Sequence, residues 1–325
     1  MTARQILERI RKLSALVVGD ICLDRWCQYD PAASEPSRET GIPRIAVTRV
    51  EVTPGAGGTV ANNLAALSAR HVAVLGAIGE DGFGFELLRG LARRGIAPDL
   101  IVRTPKIQTF TYTKLLNAQT GAEDLPRVDF INTQPLPEEA ERMVLERLRA
   151  NAPDFDVILV SDQAETALGG VVTPAMRDLL ADLATTFPAK VFWVDSRMRA
   201  ELFRRVIVKP NQDEAAAACR RVLGAADHQR LCEWIGGPCL IVTHGADGAL
   251  VVEPGRETWV RTKPVADPVD ICGAGDSFSA GAALALHVTG SPVEAARFGN
   301  LVASVTIMKK GTGTASPEEV LAADA

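Results

Sequence analysis

Pro268-Val269-Asp270-Ile271-Cys272-Gly273-Ala274-Gly275-Asp276-Ser277-Phe278-Ser279-Ala280-Gly281 decides how the rest of this 325-residue chain is read. Gly273 and Gly275 bracket Ala274 and lead into Asp276, after which small and apolar residues run on to His287. That run has helical length and spacing, which places Asp276 in the first turn of a buried helix. Glycines ahead of a helix let the backbone turn sharply and leave its free N–H groups converging on one spot. Unpaired donors and the helix dipole together attract an anion there. A carboxylate in the same turn would repel a resting phosphate, but it has a use as a base beside a phosphoryl group in flight. An ordinary Gly-rich helix start with an Asp cap has the same spacing, so spacing alone leaves both readings open.

Outside this stretch the composition is that of a globular protein, with 47% hydrophobic and 23% charged residues. The net charge of −5 gives no reason to expect nucleic acid or an anionic membrane as partner. No apolar run approaches the ~20 residues of a membrane span. The N-terminus reads as an amphipathic helix, with Ile6, Leu7, Ile10 and Leu13 on one face, and not as a signal peptide. Six cysteines, at 22, 27, 219, 232, 239 and 272, form no Cys-x-x-Cys pair and suit neither a zinc site nor a disulfide framework. Reduced thiols in the cytoplasm are the expectation. The four histidines stand apart; His244 lies in a glycine-rich turn, where a structural role is expected.

Strand and helix patterns alternate, as in a parallel sheet with helices on both faces. Residues 16–18, 72–76, 157–160, 191–194, 206–208 and 240–242 read as strands, and 85–94, 137–150, 173–186, 213–222 and 300–308 as helices. Alternating segments at 45–50, 110–115 and 127–131 fall between these units and are expected to form a small separate sheet. Asp20 and Asp24 follow the first strand, where open α/β sheets gather ligands, so they read as hydroxyl-binding groups or as solvated loop carboxylates. A second glycine run, residues 54–58, leads into a helix with its body at 59–69.

Gly273-Ala274-Gly275-Asp276, with Asp270 upstream, resembles the C-terminal signature of the ribokinase-like (PfkB) carbohydrate kinases. The resemblance implies an α/β three-layer sandwich with a central, mostly parallel sheet and a small β-sheet lid. It implies one kinase domain over residues 1–325, with lid strands inserted at about 22–52 and 108–132. In such enzymes the residue matching Asp276 takes the proton of the accepting hydroxyl, and the amides of Gly273, Ala274, Gly275 and Asp276 hold the transferring phosphate. Asn211 and Glu214 match an Asn-x-x-Glu element tied to magnesium and the nucleotide phosphates, with Glu214 toward the metal. Asn211 can also cap its helix, a role that is expected to leave Glu214 unoccupied. Residues 242–249, with Thr243, Gly245 and Gly248, resemble the nucleotide loop, and Asn300 matches a residue beside the adenine. Residues 54–65 resemble the N-terminal signature, so Gly55, Gly57 and Gly58 are expected near the sugar. The signature Asn falls on Thr59, which hands its contact to the hydroxyl or to Asn62 or Asn63.

Within that family the segments at 17–26, 37–43, 127–130 and 310–317 look most like the kinase domain acting on heptose 7-phosphate. The likeness covers the kinase half of the bifunctional form, with no nucleotidyltransferase half expected. Where that subfamily has a Lys shortly after Ser-Asp-Tyr, this chain has Glu165; Arg197 keeps a positive charge in the Asp195-Ser196-Arg197 element. A sugar phosphate would be held by Arg38, Lys114 or Arg197, and a neutral sugar is the alternative. The resemblance further implies ATP and Mg2+, in some members a monovalent cation such as K+ near Asp270 and Cys272, and a homodimer through the lid. A sugar or nucleotide sensor without turnover, and a nucleoside or vitamin kinase, are the readings held against it.

Overall fold

Runs of Val, Ile and Leu that are apolar on both faces demand a sheet covered on both sides. The computed structural model, which describes residues 1–263 and 265–324, contains that sheet. In chain order come α1 (Ala3–Ile10), β1 (Ser14–Gly19), β2 (Ile21–Tyr29), β3 (Val47–Ala56), α2 (Gly57–Ala66), β4 (His71–Leu75), β5 (Ala77–Gly79) and α3 (Gly82–Ala92). There follow β6 (Val102–Thr104), β7 (Thr111–Asn117), β8 (Val128–Phe130), α4 (Glu138–Asn151), β9 (Val157–Asp162), α5 (Pro174–Thr186), β10 (Val191–Ser196) and β11 (Ile207–Val208). Last are α6 (Gln212–Leu223), α7 (His228–Ile235), β12 (Leu240–Thr243), β13 (Ala249–Glu253), β14 (Arg256–Val260), α8 (Ala274–Thr289), α9 (Pro292–Thr306) and α10 (Pro317–Asp324).

The large sheet has the order β14-β13-β12-β11-β10-β9-β1-β4. It is parallel from β4 to β12 and antiparallel at β13 and β14. Successive side chains of β1 enter different cores, as the strand period of two requires. Val17 packs with Leu64, Leu284 and Val302 on one face, whereas Leu16 and Val18 pack with Val144, Leu180 and Leu231 on the other. Helix, sheet and helix therefore form three layers.

A second sheet, β3-β2-β7-β8, stands over the C-terminal ends of the large one. β2 pairs with β3 from Ile21↔Ala56 to Tyr29↔Val47, and with β7 in parallel. This corrects two local expectations. Asp24 lies inside a strand and not in a loop, and Pro54-Gly55-Ala56 are strand residues paired to β2, with α2 running from Gly57 to Ala66 where 59–69 was the expected body. Sequence patterns missed β2 because its burial follows no strict alternation. They also missed the start of α9, where Ser291 caps the amide of Glu294 and Pro292 opens the helix. Thr173-Pro174 and Ser316-Pro317 start helices through their own side chains: Thr173 Oγ1 accepts from Met176 N, and Ser316 and Glu319 exchange backbone-to-side-chain bonds. The N-terminal helix buries Ile6, Leu7 and Ile10 as expected.

Candidate active site

Two cavities open at the C-terminal edge of the large sheet and meet at the start of α8. One, of 460 Å³, is lined by Asp195, Lys209, Asn211, Glu214, Thr243 and the first turn of α8. The other, of 160 Å³, lies under the small sheet against Asp24, Arg25, Tyr112, Lys114, Arg127 and Thr59. Gln163, Arg197, Gly273 and Asp276 line both. Gly273 makes this junction possible: it caps α8 at φ 77°, a conformation that costs a side-chain-bearing residue free energy. Behind it Ala280, Ala282, Ala283 and Leu284 are buried in the core, so the exposed end of the helix is held by a rigid body.

The larger cavity brings together most of the residues expected to hold a nucleotide. Thr243 ends β12 and forms an isolated parallel bridge with Asn211, just after β11. Asn211 caps α6 by accepting from Asp213 N and Glu214 N, both at 2.9 Å. Glu214 Oε2 accepts from Asn211 N at 2.8 Å, so capping does use one of its two oxygens, contrary to the expectation from sequence. Burial raises the Glu214 carboxyl, and Asp195 adds to the effect. Gly245, at φ 55°, borders the same space with nothing within 4 Å of where a Cβ would stand. Gly248 does not line it; a Cβ there would lie 2.2 Å from Val260 O, so this glycine serves the turn between β12 and β13. His244 packs on Trp259 at 4.7 Å and meets Gln212 through Nδ1, a structural placement at the cavity wall. Asn300 stands apart, in a separate 340 Å³ cavity with Arg261 and Lys263, and donates to Val260 O at 3.0 Å.

The smaller cavity sorts its expected residues more severely. Asp24 lines it, and Gly55 is glycine because a Cβ would meet the Asp24 carboxylate at 2.2 Å. Burial raises the Asp24 carboxyl to about 6, against the pull of Cys22, Lys114 and Arg127. Asp20 does not reach the space. Its carboxylate accepts the amides of Gln163, Ala164 and Val171, each at 2.8 Å, which tethers the chain after β9. Gly57 and Gly58 are filled sites as well: Cβ atoms would stand 2.6 Å from Ile21 Cδ1 and from Pro54 Cβ. Asn63 is wholly buried and donates to Thr59 O, and Asn62 donates to Pro54 O, so neither faces the cavity. Thr59 does line it. Asp270 ties two segments, accepting from Cys272 N and Gly311 N, and lines neither cavity. Arg38 is exposed and lines neither.

Positive charge is dense here. Lys114 pairs with Glu123 at 3.2 Å, Arg127 with Asp129 at 2.8 Å, and Arg197 with Glu165. Arg25, which the sequence reading passed over, has no carboxylate partner among the described residues. Its Nε is buried without a hydrogen bond, and its guanidinium lies 4.6 Å from the Phe83 ring centre. Lys209 was also missed: it is buried, with Nζ 2.9 Å from Asp195 Oδ2. A lone Arg or Lys carries no spacing signal, so only packing could have found them.

Asp276 is the group on which the two cavities converge. Burial and the nearby Asp195 charge raise its carboxyl to about 7, while Lys209 and Arg197 pull the other way. A carboxylate with that affinity for a proton is suited to removing one near neutral pH.

Two cavities meeting at a carboxylate of raised proton affinity suit a group-transfer enzyme of the α/β class, and the comparisons identify the family. A model of the pfkB family carbohydrate kinases matches residues 14–319, and the chain belongs to that family. It is a sugar kinase. The chain is 31% identical to the bifunctional protein HldE of Pelobacter propionicus over 97% of its length, and 31% identical to that of Geobacter sulfurreducens over 95%. It spans only 64% and 62% of those proteins. The structure resembles Thermotoga maritima ribokinase (TM-score 0.72, 21% identity, 96% of this chain and 99% of that one). It also resembles Escherichia coli phosphofructokinase-2 in complex with potassium (TM-score 0.69, 20% identity, 96% and 98%). At these identities the likeness establishes the ribokinase-like fold alone.

Proposed function

We propose that this sugar kinase moves the γ-phosphoryl group of ATP to a hydroxyl of a sugar phosphate, with D-glycero-D-manno-heptose 7-phosphate, phosphorylated at O1, as the acceptor that fits best. The observation that carries the transfer is the sharing of Asp276 and Gly273 by both cavities. The triphosphate lies along Asn211, Thr243, Gly245 and the first turn of α8. The sugar lies under the small sheet, against Asp24, Thr59 and Lys114. Asp276 accepts the hydroxyl proton as that oxygen attacks phosphorus in line, and the amides of residues 273–276 receive the charge on the transferring group.

Arg25 favours a phosphorylated acceptor. Its guanidinium lines the smaller cavity with no carboxylate partner among the described residues, which leaves its charge for the acceptor's own phosphate. Opposing it, Glu165 occupies Arg197, which favours a neutral sugar. The donor set also fits magnesium, because Glu214 keeps one oxygen outside the cap for an ion that retains its water. Bound there, magnesium would neutralise phosphate charge. A monovalent cation such as K+ near Asp270 belongs to the same reading, as does a homodimer through β3, whose Val47, Val50 and Val52 are exposed. No helix among the described residues is long and apolar enough to cross a membrane.

The test is ATP consumption with neutral sugars and sugar phosphates, heptose 7-phosphate included, for the wild type and Asp276→Asn. Turnover confined to a phosphorylated sugar and lost in the variant is expected. Binding without turnover in both proteins would leave a sensor.

A further inference from the structure

Lys209 follows β11 directly, and its side chain is only 4% exposed. An ammonium has three donors. Asp195 Oδ2 takes one, and no second protein acceptor for Nζ occurs among the described residues. Burying such a charge is costly unless its donors find oxygen. The open side of Nζ borders the 460 Å³ cavity, together with Gly273, Ala274, Gly275 and Asp276. Nζ stands 3.5 Å from the place a Cβ would take on Gly275, so it looks onto the same turn whose free amides collect an anion.

We propose that Lys209 is a catalytic residue that contacts a peripheral oxygen of the transferring γ-phosphoryl group, and so makes the site hold a nucleoside triphosphate in preference to a diphosphate. This inference rests on the kinase reading above. In the step, the acceptor O–H gives its proton to Asp276, the new O–P bond forms, and the bond from phosphorus to the departing ADP oxygen breaks. Lys209 keeps its proton throughout and meets the charge spread over the peripheral oxygens. Burial pulls the ammonium toward neutrality, but Asp195, Glu214 and Asp276 outweigh it and raise its pKa, so the cation persists. Asp195 acts as the positioning residue: Oδ2 also accepts from Ser279 Oγ at 3.2 Å, which anchors the pair to the second turn of α8. Placed there, Lys209 adds to a nearby site the positive charge that Glu165 neutralises at Arg197.

The experiment is calorimetric binding of a non-hydrolysable ATP analogue and of ADP, beside kcat and acceptor KM, for the wild type, Lys209→Met and the pair Asp195→Asn/Lys209→Met. The single change leaves Asp195 buried without its partner, so the double variant, which removes both charges, carries the decision. Expected are a kcat lower by about 10²–10³, as for loss of one charge-stabilising donor, and an analogue affinity at least ~10-fold weaker. ADP affinity and acceptor KM should stay within about threefold. Recovery of kcat and of the triphosphate preference in the double variant overturns the proposal and leaves Lys209 as a neutraliser of Asp195. A wild type that binds neither nucleotide overturns the kinase reading beneath it instead.

Discussion

Two glycine-rich stretches lead into buried helices in this chain, and they are put to opposite uses. Residues 54–58 run into α2 with every glycine pressed against protein: Gly55 on Asp24, Gly57 on Ile21, Gly58 on Pro54. Residues 273–275 run into α8 more openly: a Cβ on Gly273 would stand 3.3 Å from the methyls of Thr59 and Thr312, and one on Gly275 would meet only the tip of Lys209. The first set of glycines lets the small sheet, α2 and the core close on one another. The second leaves backbone donors accessible to an anion. Small residues before a helix therefore serve close packing against protein in the first case and border an open cavity in the second.

Substitutions separate the two uses. Asp276→Asn should lower kcat by about 10²–10⁴, the range for loss of a general base, while the protein stays folded. Gly275→Ala follows, with a loss of roughly 10–10² in kcat/KM from displacing the phosphate and a melting temperature unchanged or raised. Gly58→Ala should do the reverse, lowering stability by ~1–3 kcal/mol through overpacking on the Pro54 ring, with activity per folded molecule retained. Urea titration and steady-state kinetics on both alanine variants check the contrast; a Gly58→Ala enzyme that is stable but inactive would bring that turn back to the substrate.

The acid–base behaviour of the second turn gives a further check. Asp276 has a folded pKa of about 7 against 3.8 in the unfolded chain. The folded protein therefore holds the proton more tightly, and its stability falls as pH rises from about 4 through about 7, where the carboxylate must be charged. Asp276→Asn should thus melt like the wild type near pH 4 and be more stable at pH 8, by on the order of 1–4 kcal/mol. Activity runs the other way: kcat/KM should rise as pH passes through about 7 in the wild type. At the start of α2 the smallest effect is expected. Ala56 has φ 50°, strained for a residue with a Cβ, and Ala56→Gly should stabilise by about 1 kcal/mol.

Local patterns carried the parallel strands of the large sheet, most of its helices and the α8 turn, but not the antiparallel pairing of its edge strands β13 and β14, because apolar periodicity and capping chemistry act over a few residues. Thr173-Pro174 and Ser316-Pro317 start helices for reasons contained in their own side chains. Asp24 was legible only as a carboxylate near a strand end; its place inside β2 depends on pairing with β3 and β7, far along the chain. Asp20 looked equivalent from the sequence, yet three amides from residues 163–171 take its oxygens.

What the sequence by itself determined is the alternation of the parallel strands with most helices, the glycine turn before Asp276 and the caps, since each follows from neighbours within one or two turns of chain. What only the tertiary structure decided is which glycines border an open cavity, which carboxylates are tied up by amides, and that Arg25 and Lys209 line the two cavities. Those outcomes depend on residues more than a hundred positions apart meeting at one sheet edge, and short-range spacing holds no record of such distances.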